Sequence, residues 1–301
     1  MISIIVPTYN RQNLIKDAIQ SVVKQTYKDW ELIIVDDGST DNTKSIVSEY
    51  TKKDSRIRYF YKKNGGQGSA RNLGVLESKG EYVAFLDSDD EWLEDKLEKQ
   101  ISFLEKNKSA SFCYTKSVSV FPNGKRKYFG QDTKKLYRFL LMGIGTSSLS
   151  SVLFVKKDLL RIGLFDEATE LIGLEDNEHG IRTSNLVGVY LDEPLTLYKY
   201  HDFQITKENM KNRLGRQIAG LSYILEKNRK ILERDKKALS FRQKQIGHLC
   251  MLHGDYIKAR KTFAIALQEY PSVIGVALYL SSFFSSIYIF IYKIRNMFLG
   301  Q

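Results

Sequence analysis

The chain has 301 residues, 43% hydrophobic and 27% charged, an ordinary globular composition long enough for one large domain or a domain with an appendage. Four prolines and scattered glycines exclude a disordered or fibrous chain, and a net charge of +11 favours anionic partners: nucleotide phosphates, anionic lipid or nucleic acid. Cys113 and Cys250 lie far apart without metal-type spacing, so a reducing compartment and no disulfide are expected, and residues 1–10 lack the basic and apolar regions of a secretory leader.

Residues 2–6 form a β-rich run stopped by Pro7-Thr8-Tyr9-Asn10 and read as a first, central strand. Residues 13–25 carry Leu14, Ala18, Ile19, Val22 and Val23 at the spacing of a helix with one buried face. A second strand, 31–35, ends in Asp36-Asp37-Gly38-Ser39-Thr40-Asp41, with Asp41 the expected N-cap of a helix continuing over 44–50. A third strand, 57–61, leads into Asn64-Gly65-Gly66-Gln67-Gly68, whose glycines permit close backbone approach to a ligand. A helix over 69–78 carries Ala70-Arg71-Asn72, and an apolar strand over 82–86 ends in Asp87-Ser88-Asp89-Asp90. Asp90 is expected to cap a helix over 92–106 with Leu93, Leu97, Ile101 and Leu104 inward.

Four strands alternating with three helices in the first ninety residues predict an α/β fold with right-handed crossovers and a mostly parallel sheet. The polar clusters at three strand ends then share one edge, where open α/β sheets bind ligands. Asp87 and Asp89 on one tight turn offer hard oxygen ligands to Mg²⁺ or Mn²⁺, which would bridge to a diphosphate. No Gly-x-Gly-x-x-Gly follows the first strand and no Gly-x-x-x-x-Gly-Lys-Ser/Thr occurs, so a dinucleotide fold and a P-loop are unsupported.

Further strands are expected over 110–120 and 150–155, a turn at Pro122-Asn123-Gly124-Lys125, a helix over 133–142, and closing strands over 187–191 and 195–200. Leu174-Glu175-Asp176 puts two carboxylates at the positive end of a helix, and His179 and Arg182 follow one turn on, as readily structural as functional. Residues 207–301 read as helical, and 245–271 resemble one tetratricopeptide-type helix pair, which needs neighbouring helices to bury its face. Residues 273–292 hold twenty residues without charge, followed by Lys293 and Arg295. That length admits an in-plane membrane helix, a spanning helix, or a buried or oligomer-forming helix, and some form of membrane association is expected.

In order and spacing, Val6-Pro7-Thr8-Tyr9-Asn10, Asp36-Asp37-Gly38-Ser39-Thr40-Asp41, Ala70-Arg71-Asn72-Leu73-Gly74 and Leu86-Asp87-Ser88-Asp89-Asp90 resemble the signature of family 2 glycosyltransferases, over residues 1–201. The resemblance implies a GT-A-type, Rossmann-like nucleotide-sugar-binding domain at 1–206, divided into a nucleotide-binding half (1–106) and an acceptor half (107–206), before the C-terminal helical region. It implies inverting, metal-dependent transfer of a hexosyl or N-acetylhexosaminyl group from a nucleotide sugar, with a UDP-sugar as the expected donor. The expected acceptor is a hydroxyl of a cell-surface polysaccharide or lipid-linked oligosaccharide. The work would be cytoplasmic, at the inner face of the cell membrane.

The resemblance also assigns roles. Thr8 and Asp37 would hold the base, while Asp36, Gly65 and Arg71 would meet ribose and phosphates, with Pro7, Tyr9, Asn10 and Ser88 beside them. Asp89 would be the direct metal ligand, Asp87 would reach the ribose or sugar and support the metal, and His201 would lie near metal and diphosphate. Asp176 would be the general base and Glu175 the second candidate, or the residue that orients the acceptor. From the residues alone, Arg71 also reads as a surface ion pair. A nucleotidyltransferase would need a glycine- and Lys/Arg-rich triphosphate loop after the first strand, which Pro7-Thr8-Tyr9-Asn10 does not supply. A non-catalytic sugar-nucleotide scaffold is opposed by intact Asp87, Asp89 and Asp176, and a nucleic-acid partner by lysines spread along the chain.

Overall fold

Strand β1 (Ile2–Thr8) is buried along its whole length in the computed structural model, which describes residues 1–130, 136–143, 148–199 and 210–284. The chain divides into two compact units, Met1–Leu140 with Ile144–Gln204, and Leu141–Gly143 with Ile205–Gln301. In the first unit the elements after β1 are α1 (Ile15–Val23), β2 (Trp30–Asp36), α2 (Thr43–Thr51), β3 (Ile57–Tyr61), α3 (Gln67–Glu77) and β4 (Tyr82–Phe85). Then come β5 (Asp90–Trp92), α4 (Lys96–Lys106), β6 (Phe112–Val120), β7 (Arg126–Phe129), α5 (Leu136–Met142, its last two residues falling in the second unit), β8 (Val152–Val155), α6 (Lys156–Ile162), α7 (Glu175–Thr183) and β9 (Gly188–Lys199).

The sheet runs β3-β2-β1-β4-β8-β6-β9-β5, with β7 paired to β6. The first four strands are parallel, as the alternating pattern predicts. Beyond β4 the sheet is mixed: β8 is antiparallel to β4 and β6, and β9 runs parallel to β6 with a register break at Lys116. The tight turn after Val120 returns the chain as an antiparallel hairpin, a connection that parallel strands cannot make.

Alternation along the strands builds two cores. Ile2, Ile4, Val6, Leu32 and Ile34 join Ile15, Ala18, Ile19 and Val22 of α1. On the other face Ile5 packs with Val83, Phe85 and Val75 of α3, and Ile33 and Val35 pack with Ala70. Side chains on successive strand residues point to opposite faces, so a strand covered on both sides reads as a continuous apolar run.

Three local expectations are corrected. Asp90 does not cap a helix: Asp90–Trp92 pairs with β9 as a short strand, and α4 starts only at Lys96, leaving Leu93 exposed. Asp41 stands one residue outside the N-cap position, held by Asn42, although its carboxylate still accepts from the Thr43 amide at 3.0 Å. The two closing strands are one twelve-residue strand, β9, because its partner β6 accommodates Asp192-Glu193 through the register break.

The second unit contains α8 (Met210–Lys227), α9 (Arg229–Leu232), α10 (Lys236–His253), α11 (Tyr256–Glu269) and α12 (Val273–Ser281). Gly254, left-handed at φ 94°, ends α10, and the Asp255 carboxylate caps α11 by accepting from the Lys258 amide. Ile246, Cys250, Met251, Ala259 and Phe263 form the core of this pair. Of the apolar 273–292 stretch, Val273–Ser281 form α12, and residues 285–292 lie outside the described residues. Among the described residues no helix is long and apolar enough to cross a membrane.

Helix α3 sits against β1 through Gly74, where an added Cβ would lie 2.4 Å from Ile5 Cγ2 in a filled core. Gly74→Ala is expected to destabilise the fold by about 1–3 kcal/mol through overpacking, read as a lower urea midpoint at unchanged slope.

Candidate active site

Parallel register gathers the polar strand ends. Thr8 stands opposite Asp36, and Asp36 opposite Tyr61. Ile5 pairs with Phe85, and the Leu86 amide donates to the Ile5 carbonyl at 3.0 Å, so Asp87 emerges on the same edge. Because β1 lies between β2 and β4, the strand order reverses here, the place where open α/β sheets leave a ligand crevice.

On one side of this crevice Asp36 is buried, accepting from the Ser39 amide and the Tyr59 hydroxyl, both at 2.7 Å. Burial and then the bond to Asp36 raise the Tyr59 phenol, which stays a donor. Asp37 accepts from Lys62 Nζ at 2.7 Å and from the Gly65 and Gly66 amides at 2.9 and 2.8 Å. Asp37 therefore shapes the glycine loop, where Gly66 holds φ 90°. Pro7 and Thr8 are buried, and Thr8 Oγ1 has no hydrogen-bond partner among the described residues. Tyr9 is exposed. Asn10 adopts φ 51° and ties the two strand ends, donating its amide to Ser39 Oγ and accepting from the Thr40 amide, both at 2.9 Å. A left-handed non-glycine residue is uncommon, and asparagine tolerates it best.

On the other side, the Asp87 amide donates to Ser150 Oγ at 3.1 Å, and Ser150 Oγ donates to Asp90 Oδ2 at 2.6 Å. The Ser150 carbonyl accepts from Trp92 Nε1 at 2.7 Å. Ser150 thus fixes the acidic turn from a distant segment, and no sequence signal marks it. Burial and then the charge of Asp87 push Asp90 well above the usual carboxylate range. Ser88 is buried, and Asp89 lies 3.8 Å from Arg11 Nη2. The hard carboxylate oxygens of Asp87 and Asp89 fit Mg²⁺ or Mn²⁺. No group of three or more His, Cys, Asp or Glu gathers as a metal cage among the described residues. His201 lies outside the described residues.

Arg71 is not a surface residue. It is buried, with Nη2 donating to Asp87 Oδ1 at 2.9 Å and Nη1 to Glu175 Oε1 at 2.8 Å. Burial alone would depress its pKa, but the charges of Asp87, Glu175 and Asp176 raise it. Its guanidinium also lies over the Phe165 ring at 5.5 Å. Asn72 clamps the same segment, donating to the Phe165 carbonyl and accepting from its amide, both at 2.8 Å. Phe165 stacks on His179 at 4.3 Å, and burial first, then Arg182 and Arg71, lowers that imidazole to about 3. Arg182 pairs with the buried Glu178 at 2.6 Å and donates to the Ile162 and Gly163 carbonyls. His179 and Arg182 are therefore packed as structure.

Glu175 and Asp176 open α7, whose positive end favours both. Glu175 is buried with both oxygens engaged, by Arg71 and by the Gly173 amide at 2.9 Å. Asp176 differs: it is exposed, with Oδ1 accepting from the Asn177 amide at 2.7 Å, yet neighbouring groups partly desolvate it. That desolvation, then the charge of Glu175, raises its carboxyl above the ordinary value, with Arg71 partly opposing. Gly65 to Ser69, Asp166 to Ala168, Ile172 and Glu175 border a small cleft next to these groups.

The fold is of the GT-A type. It is similar to S. aureus TarS 1–349 in complex with UDP-GlcNAc, with a TM-score of 0.63 over 95% of this chain and 87% of that one at 19% identity. It is also similar to a mannosyltransferase from Pyrobaculum calidifontis in complex with GDP-Man and Mn²⁺, with a TM-score of 0.57 over 100% of this chain and 88% of that one at 16% identity. The sequence model described as Glycosyl transferase family 2 matches residues 3–157, and the chain belongs to that family. Escherichia coli WfgD, named a UDP-Glc:alpha-D-GlcNAc-diphosphoundecaprenol beta-1,3-glucosyltransferase, is 41% identical over 154 residues, 51% of this chain and 60% of that protein. Uncharacterized glycosyltransferases of Rickettsia felis and Rickettsia conorii are 48% identical over 124 residues, 41% of this chain, and the match spans only 20% of their length.

Replacing Arg71 leaves Glu175 and Asp87 facing each other without a counter-charge. Arg71→Met is expected to lower stability by about 3–5 kcal/mol, with Arg71→Lys intermediate because a point charge cannot serve both carboxylates; urea midpoints check the order.

Proposed function

We propose that the chain catalyses inverting transfer of a sugar from a UDP-sugar to a hydroxyl of a polysaccharide or lipid-linked oligosaccharide, at the cytoplasmic face of the cell membrane. The observation that carries this reading is the contrast between Glu175 and Asp176. Glu175 is locked to Arg71 and the Gly173 amide, while Asp176 is accessible and raised in pKa in the same cluster as the acidic turn. A base whose pKa is raised toward the working pH transfers protons most effectively.

In this reading the acceptor hydroxyl attacks the anomeric carbon from the face opposite the diphosphate. The new carbon–oxygen bond forms as the sugar–phosphate bond breaks, Asp176 takes the hydroxyl proton, and the nucleoside diphosphate departs with the bonding electrons. Glu175 orients α7 and holds Arg71. Thr8 Oγ1, unpartnered among the described residues, is suited to a hydrogen bond with the base, and Asp37, by accepting from the Gly65 and Gly66 amides, holds the shape of the glycine loop that would meet the nucleotide. Asp89, supported by Asp87, would hold Mg²⁺ or Mn²⁺, which supplies charge neutralisation to the departing diphosphate. The names of WfgD and the TarS complex support a UDP-linked donor, and WfgD supports a lipid-linked acceptor. The Mn²⁺ in the Pyrobaculum calidifontis complex supports the cation.

Thermal shift with UDP-, GDP- and dTDP-sugars, with and without Mn²⁺, is expected to show stabilisation by UDP-sugars, about 2.7 kcal/mol at a hundredfold excess over Kd. Asp89→Ala should lose the Mn²⁺-dependent part, and no shift with any nucleotide would overturn the reading.

Asp176→Asn should keep that shift and lose roughly 10²- to 10⁴-fold in turnover. A base works only when deprotonated, so wild-type activity should fall as pH drops through the raised Asp176 pKa, above the ordinary aspartate value of about 3.9. Normal transfer by Asp176→Asn would remove Asp176 from the role.

A further inference from the structure

Charge is divided sharply along this chain. Residues 205–301 carry 17 Lys and Arg against 6 Asp and Glu, so the whole net charge of +11 resides there and the preceding residues are neutral overall. No acidic residue occurs after Glu269. Within this positive unit α12 is apolar on every side. Its inner face packs normally: Leu278 and Tyr279 join the core of α10 and α11, and Gly275 meets Leu267. Its outer face leaves Val273 86%, Ile274 71%, Leu280 56% and, just beyond, Phe284 62% exposed. A helix at a water-facing surface ordinarily carries polar residues on that side, and one that is apolar all round is covered by something.

Two cations lie over aromatic rings that flank α12 in sequence. The Arg260 guanidinium lies over the Phe283 ring at 5.0 Å, and the Lys237 ammonium over the Tyr270 ring at 5.9 Å. Long basic side chains and aromatic rings around an apolar patch are the side-chain set that seats at a lipid–water boundary, with aliphatic groups in the acyl layer and cations at anionic headgroups. We propose that the outer face of α12, with Lys237 and Arg260 on the flanking rings of Tyr270 and Phe283, is a docking surface for an anionic lipid bilayer. A second copy of the chain fits less well, because a two-fold interface would press two strongly positive units together. The docking surface deepens the proposed function by naming where a chain that works on a lipid-linked acceptor would meet the membrane.

The test uses the full chain, sedimented with vesicles of phosphatidylcholine alone or mixed with phosphatidylglycerol, in low and high salt. The expected result is binding about tenfold stronger to the anionic vesicles, weakened by salt. Ile274→Gln, Leu280→Gln and Phe284→Gln combined should cut that binding by about tenfold or more, and Lys237→Gln with Arg260→Gln should lose the preference for anionic lipid. UDP-sugar thermal shift is measured on the same preparations. Its retention shows the variants fold, and its loss in the parent would strike the proposed function rather than this surface. Absence of vesicle binding by the parent, undiminished binding by the apolar variant, or a parent dimer that the apolar variant makes monomeric would overturn the inference.

Discussion

A buried guanidinium needs carboxylates, and in this protein that need determines the site. Arg71 is held away from water between Asp87 and Glu175, the latter 104 residues further along the chain. Desolvation of three charges is tolerable only while all are present and bonded. The acidic turn and the first turn of α7 are therefore parts of one object. Asn72 adds a paired backbone clamp on Phe165, so adjacent residues of α3 secure the segment that leads into α7.

The carboxylates at this edge are chemically alike and physically distinct. Asp36 and Asp37 are saturated by backbone amides, Tyr59 and Lys62, and they set the shape of the crevice. Asp90 is sealed against Ser150 and stands well above the ordinary range through burial. Glu175 serves Arg71. Asp176 is exposed, and its carboxyl is raised by its crowded surroundings and by the charge of Glu175.

The two units differ as strongly in electrostatics as in architecture. A neutral α/β unit carries the carboxylate cluster, while the helical unit bears the entire excess of positive charge and an apolar outer face on α12. Net charge spread over a whole chain says little about partners; charge confined to one unit, beside exposed apolar residues, names the chemistry of a surface.

Local pattern was sufficient for the first four strands, their helices and the edge where Thr8, Asp36 and Asp87 meet. β-branched runs, amphipathic spacing and turn residues act over a few positions, and parallel pairing follows from their alternation. An aspartate before a helical pattern, such as Asp90, looks the same whether it caps a helix or pairs as a buried strand, and only β9 distinguishes the two. Ser150 carries no mark at all, since its importance lies in reaching Asp87 and Asp90, 63 and 60 residues earlier. Which groups stand at the strand ends follows from local pattern alone. The tertiary structure decided which of them are buried, paired or open to solvent, because burial and charge pairing depend on partners that proximity along the chain does not specify.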